Sequence, residues 1–153
     1  MQENKRVDLV NFASFFRKVE DISRPPTGLL YVGSALKNHN YDVRIRHIMT
    51  KDSNDALERI LERNPLFVGF SSFTGPAIKN TITLMRRLKE KSPSVKIVWG
   101  GVHPSILPVQ CLEEESVDFV CIGEGEETII ELAQNINNLD SFVSVKEIGF
   151  KNN

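Results

Sequence analysis

Apolar and polar positions along the chain fall into two alternating kinds of run. RVDLVN (6–11), LFVGFS (66–71), VKIVWG (95–100) and VDFVCIG (117–123) have the length and β-branched, aromatic content of buried strands. DVRIRHI (42–48) makes a fifth. There Val43, Ile45 and Ile48 are set against Arg44, Arg46 and His47, the mixed pattern of a strand near a sheet edge. Between these runs lie helical patterns: TGLLYVGSALKNHN (27–40), DSNDALERILERN (52–64), TGPAIKNTITLMRRLKEK (74–91), a shorter SILPVQCLEEES (105–116) and EETIIELAQNIN (126–137). In the second of these, Ala56, Leu57, Ile60 and Leu61 form one apolar stripe.

Strand and helix therefore alternate along the chain, which predicts a parallel sheet covered by helices on both faces and joined by right-handed crossovers. The expected fold is α/β: a flavodoxin-like (Rossmann-like), doubly wound, five-stranded parallel sheet in the order 2-1-3-4-5. One domain is expected over 1–153, with an α/β core of about 6–138 and a C-terminal strand or linker over 139–153 that includes the strand-like run VKEIGF. Nothing in the sequence repeats, and no internal linker stands out.

Composition narrows the function. At 153 residues the chain can bury roughly two-thirds of the surface its unfolded form exposes, so it needs no disulfide or structural metal. Nineteen basic against 20 acidic residues leave a net charge of −1, which gives no basic field to gather nucleic acid. Residues 1–6 are polar, and no apolar run is long enough for a signal peptide or membrane span. A cytoplasmic protein is expected. Cys111 and Cys121 lack neighbours in metal-ligand spacing and are expected to be small buried hydrophobes.

In an open parallel sheet, ligands bind outside the carboxyl ends of the strands. The third strand ends in SSFTGP, the fourth in GGVHPS and the fifth in GEGEE. Side chains there are small or absent, so backbone N–H groups and hydroxyls can approach a large flat or extended ligand. The first strand is followed by FASFFRKVEDISRPP, whereas connections in α/β units usually run about 2–6 residues. A loop of that length at the switch point suits a cover over a ligand, with Phe15, Phe16, Arg17 and Lys18 as candidates. Pro25 and Pro26 then open a helix, where a missing N–H costs nothing.

Several chemistries drop out. No G-x-G-x-x-G follows the first strand, and no G-x-x-x-x-G-K-[ST] is present. Glu124, Glu126 and Glu127 at a helix start repel phosphate while complementing the helix dipole. The acidic cluster and lysine of a receiver domain are missing, and Asp8 alone does not suffice. His103 and Ser105 have no G-x-S-x-G elbow for hydrolysis.

Together RPPTGLLYVGSALKNHNYDVRI (24–45), VGFSSFT (68–74), IVWGGVHPS (97–105) and VDFVCIGEGEETIIEL (117–132) resemble the N-terminal cobalamin-binding domain of cobalamin-dependent radical S-adenosylmethionine enzymes, over about 6–150. The resemblance implies a domain that lays the corrin across the strand ends and tucks the nucleotide tail into the sheet's crevice. On matching positions, Ser71, Ser72 and Thr74 line the tail pocket, and Gly100 and Gly101 let the tail pass. Val102, His103, Gly123, Glu124, Gly125 and Glu126 flank the tail or corrin edge. The D-x-H-x-x-G of cobalt-ligating relatives is missing after the first strand, which implies base-off cobalamin without a histidine ligand. The lower face would meet water or a side chain of the 12–24 loop, with Arg17, Lys18 and Glu20 left open. No catalytic residue and no metal ligand is assigned.

Two cysteines cannot supply the C-x-x-x-C-x-x-C of a [4Fe–4S] cluster, so the cluster and S-adenosylmethionine belong to an absent barrel domain of a parent enzyme, most naturally a methyltransferase. Two rivals stand beside this reading. One is a scaffold or substrate-recognition domain of the same fold that binds no corrin. The other is a flavodoxin-like enzyme with a different cofactor.

Overall fold

The computed structural model describes residues 4–13, 25–138 and 147–151. Strand β1 (Arg6–Phe12) leads to helix α1 (Thr27–Asn38), strand β2 (Asp42–Ile48), a 3₁₀ turn (Thr50–Asp52) and helix α2 (Ser53–Arg63). Then come β3 (Phe67–Ser71), α3 (Ala77–Lys91), β4 (Lys96–Gly100), α4 (Val102–Ile106), α5 (Pro108–Glu113), β5 (Phe119–Cys121), α6 (Glu126–Asn135) and β6 (Ile148–Phe150). The sheet order is β2-β1-β3-β4-β5-β6.

The first five strands pair in parallel in the expected order, with β2 at an edge. The expected count of five is corrected to six, because β6 pairs antiparallel with β5 through Phe119↔Phe150, Val120↔Gly149 and Cys121↔Ile148. An antiparallel neighbour needs no crossover helix, so the alternation of strand and helix gave no sign of its place. Another correction concerns 105–116, where one helix was expected. The chain instead forms two, starting earlier at Val102 and parting at Leu107, since Pro108 has no N–H to continue the first.

Alternation along the strands builds two cores. Val7, Leu9, Phe67, Val98 and Phe119 face α1 and α6, where they meet Leu29, Leu36, Ile129 and Leu132. Val10, Val68, Trp99 and Val120 face the other way and pack on Leu57 and Ile60 of α2 and Leu84, Met85 and Leu88 of α3. Each such side chain contributes about 1.5–3 kcal/mol over its exposed state. The stripe of α2 is buried as its spacing predicts, at Ala56, Leu57 and Ile60. That helix stops at Asn64, whose left-handed backbone (φ 45°) returns its N–H to the carbonyls of Ile60 and Leu61.

One charge interrupts the second core. Asp8 is fully buried on β1, and its two carboxylate oxygens accept from Arg46 Nε and an Arg63 guanidinium nitrogen, both at 2.6 Å. Arg63 also donates to the Val7 carbonyl at 2.8 Å and pairs with Asp42 at 2.8 Å. The cluster fastens the end of α2 to β1 and β2. Cys111 and Cys121 are free and buried. Among the described residues no helix is long and apolar enough to cross a membrane.

Candidate functional site

Sheet register sets the floor of a cleft at the carboxyl ends of the strands. His47, Asn11, Ser71 and Gly100 stand in one row across β2, β1, β3 and β4, and Leu9, Gly69 and Val98 form the row beneath on the same face. Residues paired in a sheet share a face, so all of these point toward α1 and α6. Leu29 and Val32 of α1 and Ile129 of α6 supply the opposite wall. The space between is about 1110 Å³.

Its shape follows from what the floor lacks. Ser71 and Gly100 put almost nothing into the middle of the cleft, where ordinary strand residues would fill it, whereas the space over Gly69 is taken by the Leu9 side chain, whose Cδ2 would lie 2.8 Å from a Cβ there. A Cβ on Gly100 would meet only Cys121 and the Phe70 carbonyl, at 3.6 Å or more, so the protein itself has room for a side chain there. Gly101 is different. Its φ of +94° and a 2.8 Å approach of a would-be Cβ to Ser71 Oγ show that the chain's own turn requires this glycine.

Hydrogen bonds lock the strand-end loops. Ser72 Oγ accepts from Trp99 Nε1 at 2.8 Å, and the Ser72 carbonyl accepts from the His103 N–H at 3.1 Å. Thr74 Oγ1 lies 3.2 Å from His103 Nδ1, and the His103 ring packs 5.6 Å from that of Trp99. Ser105 Oγ donates to the Gly101 carbonyl at 2.8 Å and accepts from the Gly123 N–H at 2.9 Å, tying the β4 loop to the β5 loop.

Ten of the residues singled out in the sequence meet at this cleft: Ser71, Ser72, Thr74, Gly100, Gly101, Val102, Gly123, Glu124, Gly125 and Glu126. His103 does not line it; the ring is buried behind the loop, against Trp99 and Thr74. Of the three hydroxyls, those of Ser72 and Thr74 are already engaged, whereas Ser71 Oγ has no hydrogen-bond partner among the described residues. Residues 14–24, with Phe15, Phe16, Arg17, Lys18 and Glu20, lie outside the described residues.

Asn11 and His47 escaped the sequence reading, as did the buried Leu9, Gly69 and Val98, and Ser105 entered it only as a rejected hydrolytic partner of His103. A glycine inside the strand VGF was the available signal for Gly69, since it marks a close approach, which here is that of the Leu9 side chain. The mixed pattern of DVRIRHI sets His47 with Arg44 and Arg46, against Val43 and Ile45. Strict period two instead sets it with Val43 and Ile45 on the inner face.

The described lining contains no lysine or arginine, and its carboxylates, Glu124 and Glu126, sit at the start of α6. No side chain caps α1 or α6, whose first turns open on the cleft. Burial, reinforced by Glu147 and Glu126, pushes the Cys121 thiol up to about 12, so the cleft presents a neutral thiol. The rim is apolar: Tyr31 (66% exposed), Phe73 (68%) and Ile106 (64%) stand around the mouth with Val102. Such a site suits a long, mostly uncharged ligand with an extended part that threads between sheet and helices and a broad part resting on the rim.

A cobalamin fits these residues. Its bulky ring matches the open apolar rim, and its narrow appendage matches the side-chain-poor floor of Ser71 and Gly100.

Known proteins point the same way. The B12 binding domain family model matches residues 23–133. The chain is 32% identical over 133 residues to an anaerobic magnesium-protoporphyrin IX monomethyl ester cyclase of Synechocystis, covering 83% of this chain and 26% of that one. It is 25% identical over 131 residues to a cytidylyl-2-hydroxyethylphosphonate methyltransferase of Streptomyces wedmorensis, covering 73% and 24%. It thus spans about a quarter of the length of these relatives. Among solved structures, the radical S-adenosylmethionine methyltransferase TsrM of Kitasatospora setae, with cobalamin and a [4Fe–4S] cluster bound, superposes with a TM-score of 0.81 at 20% identity over 98% of this chain and 29% of that one. The cobalamin-dependent radical enzyme OxsB, with aqua-cobalamin and S-adenosylmethionine bound, gives 0.75 at 24% identity over 98% and 21%. With its five parallel strands in order, its cleft at their carboxyl ends and a family match over most of its length, this chain belongs to the B12-binding domain family.

Proposed function

We propose that this chain is the cofactor-holding domain of a cytoplasmic radical S-adenosylmethionine enzyme, and that it binds cobalamin base-off, without a histidine on cobalt. The observation that carries the reading is the side-chain-poor floor of Ser71 and Gly100 beneath an apolar rim. Ser71 Oγ, unpaired among the described residues, offers a hydroxyl to the tail. Val102 and the turn Gly123, Glu124, Gly125 and Glu126 flank the tail or the corrin edge. His103 acts from behind by fixing Thr74, and Ser105 ties the Gly101 turn to the Gly123 turn.

When bound, cobalamin supplies a cobalt centre that carries an alkyl group, while the protein provides position and surroundings. The radical step belongs to a catalytic domain elsewhere in a parent enzyme, since two cysteines are too few for a C-x-x-x-C-x-x-C cluster motif. A methyltransferase is the parent we favour, with its catalytic domain over the rim formed by Tyr31, Phe73 and Ile106.

The test is titration of the purified chain with hydroxocobalamin. A shifted visible band and co-elution on gel filtration are expected, with a base-off spectrum in the cobalt(II) state. Silence in both measurements would turn the assignment toward a scaffold that keeps the fold without the corrin.

A further inference from the structure

His47 is the one histidine on the cleft floor, and its surroundings fix its chemistry. Asn11 Nδ2 donates to the Ser71 carbonyl at 2.9 Å, which turns Asn11 Oδ1 toward His47 Nδ1, also at 2.9 Å. An amide oxygen accepts only, so Nδ1 must carry the proton. In the neutral ring Nε2 is then a bare lone pair, and it has no hydrogen-bond partner among the described residues. Burial lowers the pKa of this ring, which favours that neutral form. The described lining around it contains no lysine or arginine to satisfy the lone pair. A polar acceptor on the inner face of a strand, oriented by a second residue and left unmet by the described residues, is the arrangement of a ligand contact.

We propose that His47 Nε2 is a preset hydrogen-bond acceptor for an N–H or O–H of the bound corrinoid, with Asn11 as the residue that positions it. This rests on the cobalamin reading above. Two donors share the chemistry: a primary carboxamide on the corrin rim and a ribose hydroxyl on the nucleotide tail.

The experiment titrates wild type, His47→Gln and His47→Ala with hydroxocobalamin and with dicyanocobinamide, which keeps the rim carboxamides and lacks the nucleotide. His47→Ala should weaken hydroxocobalamin binding about tenfold, the loss of one buried hydrogen bond. His47→Gln, whose Oε1 accepts, should recover most of that loss. A parallel loss with cobinamide assigns the donor to the rim, and a loss confined to cobalamin assigns it to the ribose. Unchanged affinity in a folded His47→Ala chain, or equal weakening in both variants, would overturn the proposal. So would nitrogen hyperfine splitting in the cobalt(II) electron paramagnetic resonance spectrum that responds to ¹⁵N-histidine, because the lone pair would then be on cobalt. Wild type that binds neither corrinoid would sink the cobalamin reading itself and this contact with it.

Discussion

A Cβ placed on Gly101 would come within 2.8 Å of the Ser71 hydroxyl oxygen, and the adjacent Gly100 meets no such obstacle. The two glycines of GGVHPS therefore serve different ends, one the turn and one the cleft. Gly101→Ala is expected to destabilise the fold by about 1–3 kcal/mol, since it adds a clash to a backbone at φ +94°. Gly100→Val should leave the melting temperature close to wild type and abolish corrinoid binding by filling the floor. Thermal melts paired with hydroxocobalamin titration check both. A Gly100→Val chain that binds normally would remove the tail from that path.

Asp8 shows how a charge is tolerated in a core. Its carboxylate is fully buried, and Arg46 and Arg63 meet it from side chains that are themselves mostly covered. Taking one partner out of such a group leaves the others desolvated and uncompensated. Asp8→Ala should cost about 3–5 kcal/mol in urea unfolding, far more than removal of the exposed Asp55 that pairs with Arg59 along α2. Equal costs for the two would show that the buried cluster contributes no more to stability than the exposed pair.

Much of the fold was legible because buried parallel strands declare themselves as continuous apolar runs, and DVRIRHI matches β2 end to end. The sixth strand was visible as a run but not as a sheet neighbour, because nothing local in IGF says which edge it will join or in which direction. The strand-end glycines and serines announced the cleft. What they hid was the division of labour among them: the hydroxyl of Ser72 goes to Trp99, 27 residues on, and Gly101 yields to Ser71. His47 and Asn11 escaped for the same reason. Their meaning comes from register between β1 and β2, which sequence spacing does not encode.

Glu114, where α5 ends, gives the stability a defined acid limb. Arg86 of α3 holds its carboxylate through two hydrogen bonds, at 3.0 and 2.7 Å, and Ser116 adds another from its hydroxyl at 2.9 Å. The Arg86 bonds come first in holding the Glu114 pKa below its ordinary 4.5, against the opposing effect of burial. A depressed carboxylate stabilises the folded state fully above 4.5, and the contribution is lost as pH falls through the folded-state value below it. Glu114→Gln should therefore lower stability at neutral pH and flatten its decline on the acid side. Chemical denaturation from neutral pH into that acid range reads this out; parallel curves for the two proteins would show that the pair adds nothing.

Cys121 faces the cleft beside Gly100 and Gly125, and its thiol is pushed up to about 12, chiefly by burial. Cys111, in the other core, is pushed up to about 11 by burial alone. Only the thiolate attacks alkylating reagents, so at pH 8 a thiol pushed up that far stays almost wholly protonated, whereas about a quarter of ordinary thiols are ionised. The folded chain should show no fast-reacting thiol toward iodoacetamide, and two should appear on unfolding in guanidinium. The single variant Cys111→Ala assigns any residual rate to Cys121. Rapid modification of that variant in the native state would mean that the floor opens to solvent far more often than its packing implies, and a cleft so loose would not hold the tail of a corrinoid in one place.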